Sequence, residues 1–201
     1  MEGMEETLDF YNNQAENYFD ETRNLILSTE ISRFVKLCPK NSRVLDIGPG
    51  SGRDLKEFSK AGLYAIGIDV SENMAHVASE YSNCEVFVSN VDNLPFKNNE
   101  FSGIWAKASL HHIPSSHIKK SMKEINRVQK KGGVFYSSVK IGQGEKLVDI
   151  NNYKRFYSFY SLEGYGKLLE GSGYRIFDIY VSKSINPKRP DDFINVFARK
   201  D

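Results

Sequence analysis

The chain has 201 residues, 40% apolar and 26% charged, which excludes a disordered segment and suits one domain with a sizeable core. A formal net charge of +1 excludes the global positive field that draws proteins to nucleic acid or anionic membrane. Two cysteines without paired spacing, Cys38 and Cys84, exclude a disulfide framework and fit a reducing compartment.

The opening residues 1–10 are acidic and polar, unlike a secretory signal, and no apolar run approaches the roughly 20 residues that span a bilayer. The expected location is the cytoplasm, and no membrane partner is expected. Residues 5–38 are helical in character and rich in aromatics, so 1–40 reads as an N-terminal helical cover. Short apolar runs then alternate with helical stretches, the pattern of a wound parallel sheet. The spacing predicts strands over 43–47, 63–69, 85–89, 101–107 and 134–140. Helices are predicted over 52–61, over 71–81 with Ser71 as N-cap, and over 115–130, the last ended by Gly132-Gly133. The basic run Lys119, Lys120, Lys123, Arg127, Lys130 and Lys131 falls on that helix and reads as its solvated face.

Residues 141–158 break the rhythm. They carry two glycines, adjacent asparagines and several aromatics with no clear period, and read as a long loop or irregular helix. Long loops in compact domains tend to be functional. Ser161 caps a predicted helix to residue 170, closed by Gly171 and Gly173. Two strands, 174–183 and 192–199, finish the chain as an antiparallel pair joined through 185–190. The expected fold is α/β, a Rossmann-like three-layer sandwich forming one domain over 1–201. Its sheet is mostly parallel and seven-stranded, with the last strand antiparallel.

The first strand runs into Val44-Leu45-Asp46-Ile47-Gly48-Pro49-Gly50-Ser51-Gly52. Glycine serves where backbone takes unusual φ or a ligand must approach closely, and the helix that follows aims free N–H groups at the loop. A dinucleotide site wants a third glycine where Arg53 stands, and no Gly-Lys-Ser/Thr phosphate loop is present. Asp46 would repel a pyrophosphate and suit a ligand bearing an ammonium, such as a methionine moiety.

This pattern resembles the class I S-adenosylmethionine-dependent methyltransferases, especially the UbiE-like, type 11 group, with Pro49 where cysteine is common. Further matches follow in order. Asp69 in Ile66-Gly67-Ile68-Asp69-Val70-Ser71 falls at the acid that holds both ribose hydroxyls, since a carboxylate offers two acceptors to a vicinal diol. Ser89-Asn90-Val91-Asp92-Asn93-Leu94-Pro95-Phe96 matches a Gly-Asp-Ala-x-x-Leu-Pro-Phe stretch, with Asn90 replacing an aspartate that accepts from the adenine amino group. The stretch from Phe101 through Trp105 to Leu110-His111-His112-Ile113 matches the fourth strand and its exit, and Lys131-Gly132-Gly133 the turn before strand five. The resemblance implies S-adenosylmethionine as cofactor, without a metal, held by Asp46, Gly48, Gly50, Gly52, Asp69, Val70, Met74, Asn90, Val91, Ala106 and Lys107.

Methyl transfer is an in-line displacement that orientation can largely carry, so the resemblance implies no fixed catalytic residue. His111 reads as a base or acceptor-orienting group, or as a packing residue; His112 as an acceptor contact, or as a loop hydrogen-bond partner. A metal site on His111, His112 and His117 lacks cysteine or paired carboxylate ligands. Lys107 faces the methionine carboxylate or the acceptor, or simply reaches solvent. Trp105 reads as core, and His76 as an ordinary helix residue. Tyr11, Tyr18, Phe156 and Tyr157 lie in the two segments expected to shape the acceptor site, with 141–160 as a lid. A small-molecule acceptor is expected. The aromatic Arg155-Phe156-Tyr157-Ser158-Phe159 stretch also echoes wobble-uridine methyltransferases, so transfer RNA is the alternative, and a non-catalytic binding partner protein a further one.

Overall fold

The structure is a computed structural model that describes residues 3–25, 28–150, 152–184 and 191–201. The expected 185–190 connection lies outside them. Three helices come first: α1 (Met4–Asn13), α2 (Ala15–Thr22) and α3 (Ser28–Leu37). The wound half follows as β1 (Arg43–Ile47), α4 (Arg53–Lys60), β2 (Tyr64–Asp69), α5 (Glu72–Ser82), β3 (Glu85–Val88) and β4 (Phe101–Lys107). A 3-10 turn, Leu110–His112, leads into α6 (Ser115–Val128) and β5 (Gln129–Lys140). The chain closes with β6 (Glu145–Ile150), β7 (Tyr153–Ser158), α7 (Leu162–Glu170), β8 (Tyr174–Lys183) and β9 (Asp192–Lys200).

The seven-stranded sheet has the order β3-β2-β1-β4-β5-β9-β8, parallel from β3 to β5, with β9 antiparallel to both its neighbours. Parallel strands are covered on both faces and therefore read as continuous apolar runs rather than alternating ones. Successive residues still serve opposite layers. Leu45, Ile104 and Phe135 join Met122 and Ile125 of α6 in one core; Val44, Trp105 and Tyr136 join Phe34 of α3 and Phe58 of α4 in the other. Trp105 is fully buried, as expected, stacked on Tyr136 with ring centroids 4.0 Å apart. The strand order reverses between β1 and β4, which opens a crevice at the carboxyl ends of those strands. Ser71 caps α5 by accepting from the Met74 N–H at 3.1 Å, and Ser161 caps α7 from Gly164 at 3.0 Å.

Three expectations are corrected. Residues 141–158 are neither loop nor irregular helix: β6 and β7 form an antiparallel hairpin, with Glu145 opposite Ser158 and Ile150 opposite Tyr153. Asn152, between the two strands, takes a φ of 67°, a conformation asparagine tolerates better than most residues. Gly132-Gly133 does not end α6. The helix stops at Val128, and both glycines lie within β5 where its register against β4 shifts between Phe101 and Gly103. Arg127 is not part of a solvated face. Its guanidinium donates to the carbonyls of Leu94 at 3.0 Å and Phe96 at 2.8 Å and to Glu124, fastening the loop after β3. Among the described residues no helix is long and apolar enough to cross a membrane.

Candidate functional site

The glycine loop after β1 is left-handed at Gly48, Gly50 and Gly52, with φ of 70°, 58° and 76°. The three do different work. A Cβ on Gly52 would stand 2.4 Å from the Ala78 carbonyl oxygen, so this glycine lets α4 pack on the backbone of α5 and faces neither cavity. Gly48 and Gly50 line two adjoining cavities of about 140 and 340 Å³, where a Cβ would stand 2.7 Å from the Ser109 Cβ at Gly48 and 3.2 Å from the Tyr18 ring at Gly50. Both cavities also share Tyr18, Lys107 and Ala108.

The smaller cavity gathers Asp69, Val70, Met74, Asn90, Val91, Tyr11 and His112 with Ile47 and Ile68. Asp69 ends β2, and its Oδ1 accepts from the Ser71 N–H at 2.9 Å. Burial pushes its carboxyl up to about 6, partly opposed by the backbone N–H groups of Ser71 and Val70. Met74 is buried with Ala15 and Val77 under Tyr11 and Tyr18. Asn90 Oδ1 accepts from the Asp92 N–H at 2.9 Å, an Asx turn that shapes the loop.

The larger cavity takes in Asp46, Arg53, Asp54, Lys107, His111, Arg155 and Tyr157. Asp46 is buried, its Oδ2 has no partner, and burial beside Asp54 and Asp69 holds its carboxyl well above the usual range. Asp54, in contrast, is fully engaged, accepting from Arg53 Nε at 2.6 Å and Trp105 Nε1 at 3.0 Å. Burial lowers the Lys107 ammonium, with Asp54 opposing. Ala108, next along, has a φ of 52°, held by its N–H bonds to the carbonyl and hydroxyl of Ser138 at 3.0 Å each. A non-glycine residue in the left-handed region costs about 1 kcal/mol, and such strain concentrates at functional sites.

The roof comes from distant parts of the chain. The Phe156 N–H donates to Thr7 Oγ1 at 2.8 Å, which docks β7 on α1. The hairpin is tied back to the sheet where the Tyr160 N–H reaches the Lys140 carbonyl at 3.1 Å and the Gly142 N–H the Tyr160 carbonyl at 2.9 Å. His112 joins the parts. Its Nδ1 bonds the Phe156 carbonyl at 2.7 Å, so Nδ1 carries the proton and Nε2 accepts from Arg155 at 3.0 Å and Tyr11 Oη at 3.1 Å. His111 is 1% exposed with its Nδ1 unpartnered; burial, aided by His112, Lys140 and Arg155, keeps the ring neutral.

The structure thus brings together most of the residues expected from sequence. Ala106 is the clear exception: it lies in the core between β4 and its neighbours, not on a cavity wall. Gly52 packs helices, and Phe156 contributes its backbone rather than its ring. Arg53 and Arg155 are site residues that the motif reading left without a role. Arg155 shares a strand with Tyr157 two residues on, and that period-2 signal marks a common face only once 153–158 is known to be a strand.

A methyltransferase-domain family model matches residues 44–133, the stretch from β1 to the glycines of β5. The chain is 32% identical over 134 residues to the uncharacterized methyltransferase YcgJ of Bacillus subtilis, covering 62% of this chain and 51% of that one. It is 28% identical to the ubiquinone/menaquinone biosynthesis C-methyltransferase UbiE of Bartonella bacilliformis, covering 94% of this chain and 77% of that one. The match covers 36% to 57% of the length of several curated relatives. A solved 1,6-didemethyltoxoflavin-N1-methyltransferase of Burkholderia thailandensis, with that compound and S-adenosylhomocysteine bound, superposes with a TM-score of 0.74 at 20% identity, covering 98% of this chain and 86% of that one. Sequence relationship through the glycine loop and likeness of the whole sheet agree: residues 44–133 match a methyltransferase domain, and the fold is that of the class I S-adenosylmethionine-dependent methyltransferases.

Proposed function

We propose that this protein moves the methyl group of S-adenosylmethionine to a small-molecule acceptor by in-line displacement. The observation that carries the reading is the pair of adjoining cavities sharing Gly48, Gly50, Lys107 and Ala108, with the unpartnered carboxylate of Asp46 in the larger one. The smaller cavity suits adenosine: Asp69 for the ribose diol, Met74 and Val91 for the base, and Asn90 for its amino group. Methionine then crosses the glycine loop, its ammonium facing Asp46 and its carboxylate toward Arg53. The acceptor occupies the rest of the larger cavity, under Tyr157 and beside His111.

In the displacement the acceptor's electron pair forms the new bond to the methyl carbon while the C–S bond breaks and leaves a neutral thioether. What the protein supplies is alignment, exclusion of water by the roof, and matched charges. His111, neutral and with Nδ1 unpartnered, is placed to orient an acceptor hydroxyl or amine and to take its proton. Enclosure by α1 and the hairpin favours a small molecule over transfer RNA, and the Burkholderia protein of similar fold is named for a small-molecule acceptor. Calorimetry with S-adenosylmethionine, S-adenosylhomocysteine and NADH tests the cofactor; micromolar-range binding of the first two, about −8 kcal/mol, is expected. Tight NADH binding with no response to the other two defeats the reading. Labelled methyl transfer into a metabolite extract and, separately, into bulk transfer RNA tests the acceptor class and excludes a non-catalytic binder.

A further inference from the structure

The lining of the larger cavity carries charged groups of both signs. Beside the glycine loop, Arg53 is paired with Asp54, and the carboxyl of Asp46 is left unpartnered, placed to ionise against the ammonium of a methionine. On the same lining Lys140 is paired with Asp191 at 2.8 Å, and Arg155 is left without an ion-pair partner among the described residues. Arg155 is 4% exposed. Its guanidinium carbon lies 4.8 Å from the ring centres of Phe10 and Tyr11 and 5.2 Å from that of Tyr157. Nη2 donates to Tyr11 Oη and His112 Nε2, both neutral acceptors. Nε and Nη1 are buried without any partner, and among the described residues no carboxylate lies within ion-pair distance. Three of its five N–H bonds therefore have no acceptor, on a side chain that lines the cavity.

A buried charge is costly unless it is paired, and aromatic faces compensate only part of that cost. A guanidinium held rigidly by Tyr11 and His112, with unused donors, is instead built to receive an oxyanion, its planar donor array being matched to carboxylate and phosphate. We propose that the acceptor is a small organic oxyanion, a carboxylate or a phosphate ester, whose charged group docks on the Arg155 guanidinium. This rests on the methyltransferase reading and names its substrate class. The arrangement separates the two ligands by charge, since the cofactor's ammonium is drawn to Asp46 and the acceptor's anion to Arg155, leaving the reacting atoms between them. It also gives Tyr11 and His112 a purpose beyond packing: they are positioning residues for Arg155.

The test uses the full chain saturated with S-adenosylhomocysteine and three probes of one shape, benzoate, phenyl phosphate and benzamide. One of the oxyanions should bind at least tenfold tighter than neutral benzamide, and which one it is separates carboxylate from phosphate. Arg155→Met should abolish that preference while S-adenosylhomocysteine binds as before. Arg155→Lys guards against a folding defect; keeping the charge but not the planar fork, it should weaken the favoured oxyanion severalfold and leave benzamide unchanged. Equal binding of benzamide, indifference to both oxyanions, or an oxyanion preference that survives both substitutions overturns the proposal. Failure of the unmodified chain to bind S-adenosylhomocysteine would strike the methyltransferase reading instead.

Discussion

The floor and the roof of the site are built by different means. The floor, β1 to β4 with the glycine loop, puts each contact at the end of a strand, so a residue's place follows from its position in a short motif. The roof, α1 and the β6–β7 hairpin, is assembled from partners far apart in the chain: Thr7 with Phe156, Tyr11 with His112 and with Arg155. In the floor a single substitution breaks the backbone or the cofactor contact. In the roof the load is spread over several hydrogen bonds and ring contacts, and each is worth less. A rigid cofactor platform under a separately assembled cover is also how a fold can keep one cofactor while its acceptor changes.

The largest expected effect tests the floor. Gly52→Val places a side chain against the Ala78 backbone at a φ of 76°, and should cost about 3 kcal/mol or more of stability, since neither contact can relax cheaply. Chemical denaturation reads it; a variant of parental stability would show that α4 and α5 are not packed as described. Asp69→Ala comes next. It should weaken S-adenosylhomocysteine binding by about 2–4 kcal/mol through loss of two charge-assisted hydrogen bonds, with folding nearly unchanged. Parental affinity would move the ribose elsewhere.

The pH dependence sharpens the same point. The Asp69 carboxyl sits at about 6 in the folded chain, above its ordinary value of 3.8, so the charged form is the disfavoured one. Its contribution to folding is therefore best at low pH and is lost as pH rises from 3.8 through about 6. Cofactor binding runs the other way, because ribose hydroxyls need the ionised acceptor. Affinity for S-adenosylhomocysteine should fall as pH drops below about 6, with protons released on binding, measurable by calorimetry in buffers of different ionisation enthalpy. Affinity independent of pH over about 5 to 8, the interval in which the group titrates, would remove Asp69 from the ribose.

The roof should respond more gently. Tyr11→Phe deletes one hydroxyl from the His112–Arg155 cluster and should cost about 1 kcal/mol in stability while acting on acceptor turnover more than on cofactor affinity. Bound S-adenosylhomocysteine should slow amide exchange in α1 and in β6–β7, and removal of the residues before Asp20 should impair methyl transfer more than it unfolds the sheet. Identical exchange with and without ligand, together with full activity after that truncation, would reduce the roof to ordinary packing.

The sequence by itself determined the wound order of strands and helices, the Ser71 and Ser161 caps, the glycine loop, and the placing of Asp46 and Asp69 at the carboxyl ends of β1 and β2. All of these rest on local signals: apolar runs of strand length, capping hydroxyls, and glycines where backbone turns left-handed. Only the tertiary structure decided that 145–158 is a hairpin, because its apolar and charged residues alternate too weakly to show a period and its stability comes from docking on α1. Only the fold showed that Gly52 serves helix packing, that Ala106 is core, and that Arg127 fastens a loop, since each depends on which neighbour lies opposite. Arg155 is the sharpest case. In the sequence it is one more cation among aromatics; that it is buried, held by Tyr11 and His112, and left with unused donors follows from contacts with residues 144 and 43 positions away, which no local propensity encodes.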